Sequence, residues 1–397
     1  MVVHIIGILQ NNECNTMGSF LYLRTLNRNF YGMNYYYYCA LILMKSSKLI
    51  QYMCTDSNNG DVSDNKKDKV YVTRRILEPA LSILSTECQV TLNKKPRPPS
   101  RKEIIKNVAG KAGILCMLTD HIDAQVMDKA GSNLKIISSY STGFEHIDVK
   151  EATSRGIYVT YTGDILAEAT ADLTFGLILS CARNIVSANE YVRNKKWKSA
   201  WSPDLMLGYN VYGRTLGIIG LGRIGSAVAR RARGFNMKIL YHNRKRNAQL
   251  ESELKVAHTG LDELLAQSDF VSIHTTLNNA SHNMIDRSKL RLMKKSAFLI
   301  NTARGQVVKE VDLVRSLKGN QIAGAGLDVF ETEPLPKSNS LLKMKNVVLL
   351  PHIGSATYQT RSRMAEVAAR NLLDVLAEKE PNCKFLVNPE VKNIRPL

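Results

Sequence analysis

Six residues, Gly220-Leu221-Gly222-Arg223-Ile224-Gly225, have the spacing of a turn that binds the pyrophosphate of a dinucleotide. The apolar run at 216–219 precedes the turn and a segment rich in Ala and Arg follows it, which predicts a strand, a turn and a helix. In such a motif the first glycine permits the turn, the second admits the pyrophosphate and the third lets helix pack on strand. Free N–H groups at the helix N-terminus bind the anion. An ordinary tight turn is the alternative.

The next predicted strand ends in a basic turn, which bears on the kind of dinucleotide. Sites selective for NAD place Asp or Glu here to accept hydrogen bonds from the ribose 2′-hydroxyl. This chain has Asn243, followed by Arg244, Lys245 and Arg246. Cations bind a 2′-phosphate, which a carboxylate would repel. The four residues therefore predict NADP(H) as the preferred cofactor, with NAD(H) possible, and an exposed basic turn as the alternative.

The elements that must position this turn follow an alternating pattern from Lys69 onward. Short β-rich runs at 70–73, 113–118, 135–141 and 157–160 alternate with polar or helical stretches. Asp164 is a plausible N-cap for a long helix over 165–183 that joins two domains. A second series has strands at 215–220, 237–241, 270–276, 297–303, 322–330 and 347–350, and a helix over 357–377 long enough to return to the first domain. This alternation is typical of parallel α/β sheets.

We therefore predict an α/β fold with two Rossmann-like domains. Residues 69–165 and 349–397 form a discontinuous, flavodoxin-like substrate domain, and residues 166–348 form a doubly wound NAD(P)-binding domain. Residues 1–68 carry a four-tyrosine run at 35–38 and a polar stretch at 55–68, unlike the rest. We interpret them as an atypical extension, either unstructured or translated from a wrongly chosen start, with Met44 or Met53 as better starts. A transit peptide is the weaker alternative.

Composition excludes several classes of protein. With 44% hydrophobic and 22% charged residues the chain can bury cores and does not resemble disorder. Seven cysteines without a C-x-x-C pair predict neither a disulfide framework nor a metal site, and they favour a reducing, cytoplasmic compartment. No apolar run reaches the roughly 18 residues that span a bilayer. The net charge of +19 is spread out, which favours anionic small molecules over nucleic acid.

The order of several motifs makes the chain from about Lys69 to its end resemble the D-isomer-specific 2-hydroxyacid dehydrogenases. The similarity is greatest to the glyoxylate/hydroxypyruvate reductase branch found in archaea. It depends on the glycine turn and on STGFEHID at 141–148, LINTARG at 299–305, GAGLDVFETEP at 324–334 and PHIGSAT at 351–357. The resemblance implies reduction of a small 2-oxo acid, glyoxylate or hydroxypyruvate, to a D-2-hydroxy acid.

The resemblance also implies a catalytic set of Arg304, Glu333 and His352. An arginine remains charged and offers a planar fork of donors to the substrate carboxylate and ketone oxygen. A histidine gives a proton to the oxygen as negative charge develops there. A carboxylate bonded to the imidazole fixes its tautomer and favours the protonated form. Each residue alone has an ordinary structural explanation, as a strand-end arginine, a surface acid or a satisfied histidine.

Further site residues follow from the same resemblance. Leu118, Thr142, Gly143 and Arg304 are implied at the substrate. The cofactor's nicotinamide half is implied to lie near Thr170, His274, Thr302, Ala303, Asp328 and Gly354. Trp197 and Trp201 stand in a loop that matches the family's aromatic lid, although this loop is shorter than expected. A homodimer built around the interdomain helix is the expected assembly.

Two other functions stay open at this point. An NAD-dependent 3-phosphoglycerate or other D-2-hydroxyacid dehydrogenase is one; the basic turn and the short stretch after the terminal helix argue against the 3-phosphoglycerate enzyme. A corepressor-like protein that senses the dinucleotide is the other, because the same fold serves that role. Physiological direction cannot be deduced from the sequence.

Overall fold

The computed structural model describes residues 67–397, so the predictions for the N-terminal extension fall almost wholly outside the described residues. The first series of elements alternates strand and helix, as βαβ units require. In chain order these are β1 (Lys69–Val72), α1 (Ala80–Glu87), β2 (Gln89–Leu92), α2 (Arg101–Val108), β3 (Gly113–Cys116), α3 (Ala124–Ala130), β4 (Ile136–Ser139), α4 (Val149–Ser154) and β5 (Tyr158–Thr160).

The five strands form one parallel sheet with the order β2-β1-β3-β4-β5. This is the flavodoxin-like order. Residues of β3 and β4 are buried throughout, as parallel strands covered on both faces must be. One face of the sheet packs against α1 and the C-terminal part of the chain, and the other packs against α2 and α3.

Two helices connect the first sheet to the second: α5 (Ala167–Ala182) and α6 (Ile185–Arg193). Helix α5 carries ten buried residues, whereas α6 carries none. Asn184, with a left-handed φ of 53°, separates them. The prediction of Asp164 as N-cap is wrong, because α5 begins at Ala167 without a side-chain cap and the Asp164 carboxylate instead pairs with Arg223. Because the helix begins three residues beyond Asp164, that side chain does not lie at the capping position.

The second series forms a larger parallel sheet with the order β12-β11-β10-β9-β6-β7-β8. Counted from β6, this is the Rossmann order extended by one strand. Its elements are β6 (Thr215–Ile219), α7 (Arg223–Gly234), β7 (Lys238–His242), α8 (Ala248–Leu254), β8 (Ala257–His258), α9 (Leu261–Gln267), β9 (Phe270–Ile273), α10 (Arg287–Leu292), β10 (Phe298–Asn301), α11 (Glu310–Lys318), β11 (Gly324–Leu327) and β12 (Val347–Leu349).

The last helix, α12 (Tyr358–Leu376), returns to the first sheet. The Thr357 hydroxyl caps it by accepting a hydrogen bond from the Thr360 N–H at 3.1 Å. On its buried face, the carbonyl of Ala368 accepts a hydrogen bond from the Ser138 hydroxyl on β4 at 2.8 Å. Farther along the chain, Asn388 accepts a hydrogen bond from the Val159 N–H on β5 at 2.8 Å. Residues distant in sequence therefore complete the core of the first sheet.

The predicted fold class, α/β with two Rossmann-type parts, is confirmed. The domain boundaries themselves stay a prediction. Four elements were not foreseen: β2, α6, α8 and the short edge strand β8. Both strands are at the edges of their sheets and are only partly buried, so they lack the continuous apolar run that identifies a central parallel strand.

Candidate active site

The loops after β10, β11 and β12 carry the three predicted catalytic residues. Arg304 follows β10, Glu333 follows β11 and His352 follows β12. These strands are adjacent and parallel, so their carboxyl ends lie at the same edge of the sheet. In open α/β sheets, ligands bind at this edge. The topology therefore brings together residues that are up to 48 positions apart in sequence.

His352 and Glu333 form a direct pair. His352 Nδ1 lies 2.6 Å from Glu333 Oε2, and Glu333 Oε1 accepts a hydrogen bond from the Phe330 N–H at 3.0 Å. Burial acts to raise the pKa of Glu333, but the hydrogen bond and charge of His352 outweigh it and hold the pKa below its usual value. An ionised Glu333 can only accept, so Nδ1 of His352 is the donor. Nε2 is then the nitrogen that exchanges a proton.

Asp328 fixes the backbone on which His352 stands. Its carboxylate oxygens accept hydrogen bonds from the N–H groups of Ile353 and Gly354, each at 2.8 Å, and its carbonyl accepts one from the His352 N–H at 2.9 Å. His352 itself has a φ of 54°, a conformation that side chains other than Gly rarely adopt. Burial raises the pKa of Asp328, and the two N–H donors oppose that shift. Asp328 thus joins the loops after β11 and β12.

Arg304 contacts its own loop and the loop that follows β4 in the first sheet. Asn301 bridges the loop, donating to the Arg304 carbonyl at 2.9 Å and accepting from the Ala303 N–H at 3.0 Å. The guanidinium donates to the Ala303 carbonyl at 2.8 Å, and Nη2 lies 3.6 Å from a carboxylate oxygen of Glu145. A Cβ on Gly143 would lie 2.2 Å from Arg304 Nη2. The Arg304 guanidinium therefore lies directly against the Cα of Gly143, and a side chain at this position would have to displace the ends of Arg304 and Glu145.

The predicted substrate residues Thr142, Gly143 and Leu118 lie in turns that follow β4 and β3, which are neighbours in the first sheet. Within residues 67–397, the N–H groups of Thr142 and Gly143 donate to no protein acceptor. Unpaired N–H groups beside a guanidinium suit an anion. The Leu118 side chain is exposed and contributes apolar surface near the same edge.

The glycine turn has the surroundings that a dinucleotide needs. Gly220 has a φ of 98°, and a Cβ there would lie 2.7 Å from the His274 carbonyl carbon; a Cβ on Gly225 would lie 2.2 Å from the Gly220 oxygen. A Cβ on Gly222, in contrast, would meet no protein atom within 4 Å. Gly220 and Gly225 are needed by the fold, whereas the open space at Gly222 adjoins the first N–H groups of α7, which have no acceptor within the helix.

The basic turn after β7 is only partly available to a ligand. Asn243 Oδ1 accepts a hydrogen bond from the Leu221 N–H at 2.7 Å and so supports the glycine turn. Arg246 donates through Nε and Nη2 to both carboxylate oxygens of Glu251, each at 2.8 Å, and this pair lowers the pKa of Glu251 to about 2. Within the described part of the chain, Arg244 and Lys245 have no ion-pair partner. Both donors of Arg246 are therefore used by Glu251, and its contact with the cofactor stays a prediction.

The other predicted cofactor residues surround the same edge of the second sheet. Thr302 Oγ1 lies 3.0 Å from Thr174 Oγ1 on α5, and a Cβ on Gly354 would contact Thr170 Oγ1 at 3.3 Å. Both threonines of α5 are buried. His274 follows β9; its Nε2 lies 2.7 Å from Ser272 Oγ, and its buried Nδ1 has no partner among the described residues. Burial lowers the pKa of His274 to about 3, so the ring is neutral.

Sequence reasoning missed the groups that support the site. Asn301 stood inside a quoted motif, and a polar residue that ends a fully buried strand was a usable signal. Glu145 beside Arg304 had no signal, because the contact joins the two series of elements. Within residues 67–397, no group of three or more His, Cys, Asp or Glu side chains could hold a metal ion. In the same residues, no helix is both long and apolar enough to cross a bilayer.

Comparison with known proteins points to one family. Residues 175–354 match a family model described as D-isomer specific 2-hydroxyacid dehydrogenase, NAD binding domain. A glyoxylate reductase of Korarchaeum cryptofilum is 51% identical over 331 residues, which are 83% of this chain and 98% of that protein. A glyoxylate reductase of Pyrococcus horikoshii is 46% identical over 332 residues, again 83% of this chain and 98% of that protein.

Solved structures show the same similarity to this family. A protein of Thermus thermophilus is 44% identical with a TM-score of 0.76, and the match covers 80% of this chain and 99% of that one. An NADPH-dependent glyoxylate/hydroxypyruvate reductase of Sinorhizobium meliloti, in complex with NADP and malonate, is 30% identical with a TM-score of 0.68; the match covers 80% of this chain and 97% of that one. The similarity therefore extends over nearly the whole of the described residues.

The space at Gly222 gives a direct test of dinucleotide binding. We expect Gly222→Ala to raise the dissociation constant of the dinucleotide about tenfold or more, because the added methyl group occupies the approach of the pyrophosphate. The melting temperature of the free protein should not change, since the methyl group meets no protein atom. Fluorescence titration and thermal unfolding measure the two quantities. Gly234→Ala, also in open space on α7, is the matched control; equal affinity in both variants would contradict the assignment.

Proposed function

The chain belongs to the D-isomer specific 2-hydroxyacid dehydrogenase family and is an oxidoreductase, and from this premise we propose that it reduces glyoxylate and hydroxypyruvate with NADPH. The products are glycolate and D-glycerate. The observation that carries the proposal is the Glu333–His352 pair at 2.6 Å on the sheet edge that also carries Arg304. The names of the relatives, glyoxylate reductases that are 46–51% identical, support the substrate.

Two groups bind the substrate's carboxylate in this proposal. The Arg304 guanidinium donates to the carboxylate and the ketone oxygen, and the free N–H groups of Thr142 and Gly143 donate to the carboxylate from the other side. Glu145, whose carboxylate lies 3.6 Å from Arg304 Nη2, is the partner that the substrate carboxylate would replace. Holding the 2-oxo acid at two points orients its carbonyl carbon for reaction.

His352 supplies the proton. A bound nicotinamide dinucleotide supplies the hydride, which adds to C2 of the substrate. As charge grows on the ketone oxygen, the imidazolium of His352 gives its Nε2 proton to that oxygen, and Glu333 keeps Nδ1–H in place and stabilises the charged ring. Arg304 stabilises the same developing charge until the proton has moved.

The substrate assignment is tested by initial rates of NADPH and NADH oxidation with glyoxylate, hydroxypyruvate and pyruvate. We expect rapid NADPH oxidation with the first two substrates. Arg304→Ala should lower kcat/KM by about 100-fold or more, because it removes the charged donors that bind and orient the 2-oxo acid. The variant's dinucleotide affinity should be unchanged.

Two outcomes would contradict the proposal. Turnover that survives Arg304→Ala would show that the reaction occurs elsewhere. A wild type that binds the dinucleotide but oxidises it with none of the three acids would exclude these substrates and favour a dinucleotide sensor. Arg97→Ala is the matched control, because that arginine is exposed and pairs with Glu103 on the first sheet's periphery.

Preference for NADPH rests on Arg244 and Lys245. These two cations have no ion-pair partner in the described chain, and no carboxylate stands at position 243 to bond a ribose 2′-hydroxyl. The Sinorhizobium meliloti relative is named as NADPH-dependent and was solved with NADP, which supports the assignment. Asn243 Oδ1 accepts a hydrogen bond from the glycine turn, so Arg244 and Lys245 are the residues left to bind the 2′-phosphate.

Arg244 and Arg246 form a matched pair for testing this preference. We expect Arg244→Gln to raise the KM for NADPH about tenfold and to leave the KM for NADH unchanged, because a charge-assisted bond to the 2′-phosphate is lost. Arg246→Gln should change either KM by less than about threefold, since both donors already bind Glu251. Steady-state kinetics with each cofactor measure the effects; equal KM values for NADPH in both variants would refute the assignment.

We also propose a homodimer. Helix α6 has no buried residue, and the surface from α6 through the following loop exposes large apolar side chains: Ile185, Val186, Val192, Trp197, Trp201 and Leu207. Large apolar side chains exposed in such number along one segment are typical of an interface. Sedimentation equilibrium should give twice the chain mass of 44.4 kDa. Val192→Glu should shift it to the monomer mass, and a wild type that sediments as a monomer would exclude the dimer.

A further inference from the structure

A buried chain of polar side chains lies beneath the turn at residues 141–143. Ser139, the last residue of β4, and Ser141 are both buried. His146 Nε2 lies 3.2 Å from Ser139 Oγ, and Ser139 Oγ lies 2.8 Å from Ser141 Oγ. Ser141 Oγ then donates to the Gly143 carbonyl. The chain therefore ends at the turn that lies against Arg304, yet none of its three side chains has a role in the reaction described above.

Only one arrangement of protons satisfies every link. The Gly143 carbonyl can only accept, so the Ser141 hydroxyl proton is used there. Ser141 Oγ must then accept the Ser139 proton, and Ser139 Oγ must accept a proton from His146 Nε2. The geometry thus assigns His146 the tautomer with the proton on Nε2. This nitrogen also lies 3.7 Å from Cys116 Sγ. The three hydrogen bonds therefore run in one direction, from His146 through the two serines to the Gly143 carbonyl.

The His146 ring is neutral in this arrangement. Burial, together with the charges of Arg304 and His121, lowers the pKa of His146 to about 4, and Glu145 opposes the shift. The ring is therefore uncharged at neutral pH and carries a single proton. Because that proton lies on Nε2 and is donated to Ser139 Oγ, the hydrogen bonds keep the same direction near neutral pH.

The chain acts on the turn through the carbonyl of Gly143. The carbonyl of Ser141 is fixed separately by the Thr162 N–H at 3.0 Å, and because a peptide group is planar this bond also sets the Thr142 N–H. The hydrogen bond from Ser141 Oγ to the Gly143 carbonyl closes a ring that contains the Thr142–Gly143 peptide. Closing this ring restricts rotation of the peptide that carries the Gly143 N–H.

We propose that Ser139, Ser141 and His146 are positioning residues that hold the free N–H group of Gly143, beside that of Thr142, in the orientation that binds the substrate carboxylate. This inference rests on the proposed function, because the carboxylate is that of a small 2-oxo acid. It needs no contact between these three side chains and the substrate. Their effect is transmitted through the backbone of one turn.

The test compares variants that break the chain with one that repairs it. Ser141→Ala and His146→Leu should each raise the KM for glyoxylate and the dissociation constant of oxalate about tenfold, and leave kcat and the dissociation constant of NADPH within about twofold. His146→Gln keeps an N–H donor near the Nε2 position and should restore both quantities to within about threefold of wild type. Combining Ser141→Ala with His146→Leu should add nothing further, since either change interrupts the same chain.

Ser138→Ala is the matched control, because this buried serine of β4 donates to Ala368 and not to the turn. If His146→Leu fails to fold, Ser139→Ala replaces it. Wild-type KM and oxalate affinity in Ser141→Ala, or a His146→Gln variant as defective as His146→Leu, would overturn the inference. A wild type that binds oxalate without reducing glyoxylate refutes the proposed substrate alone, and the oxalate affinities then decide the inference. A wild type that does neither overturns both.

Discussion

The site depends on the carboxylate of Asp328. Asp328 follows β11 and accepts three hydrogen bonds from the backbone of residues 352–354, which follow β12. These bonds join the loop that carries Glu333 to the loop that carries His352. Without that bridge the 2.6 Å contact between Glu333 and His352 would depend on two independent loops. The left-handed φ of His352 costs about 1 kcal/mol or more, and these surrounding bonds offset it.

This bridge is possible because adjacent parallel strands end at the same edge of the sheet. Strands β10, β11 and β12 are hydrogen-bonded neighbours, so each loop begins within a strand spacing of the next. A rigid sheet determines where the loops start, and a few side chains that bind backbone groups determine how they continue. Asn301 does for the Arg304 loop what Asp328 does for the His352 loop. Both residues are buried, so water cannot replace either set of bonds.

Sequence alone predicted the central strands, the glycine turn and the fold class, because apolar runs and glycine spacing are local signals. It did not predict contacts that depend on tertiary neighbours. Asp164 had the residue type of an N-cap but pairs with Arg223, and Arg246 had the charge of a phosphate ligand but is held by Glu251. The edge strands β2 and β8 are partly exposed and lack the pattern of a buried strand.

The proposed site uses backbone N–H groups from two places, and these groups are oriented by different means. At Gly222 the N–H groups belong to the first turn of α7, where the helix itself fixes their direction and the helix dipole favours negative charge. At Thr142 and Gly143 the N–H groups belong to a turn that no helix organises. Its peptide planes would otherwise be free to rotate, so orientation must come from bonds to its carbonyls. The Thr162 N–H binds the Ser141 carbonyl, and the serines and histidine beneath the turn hold the Gly143 carbonyl, which gives the buried serine at the end of β4 a purpose.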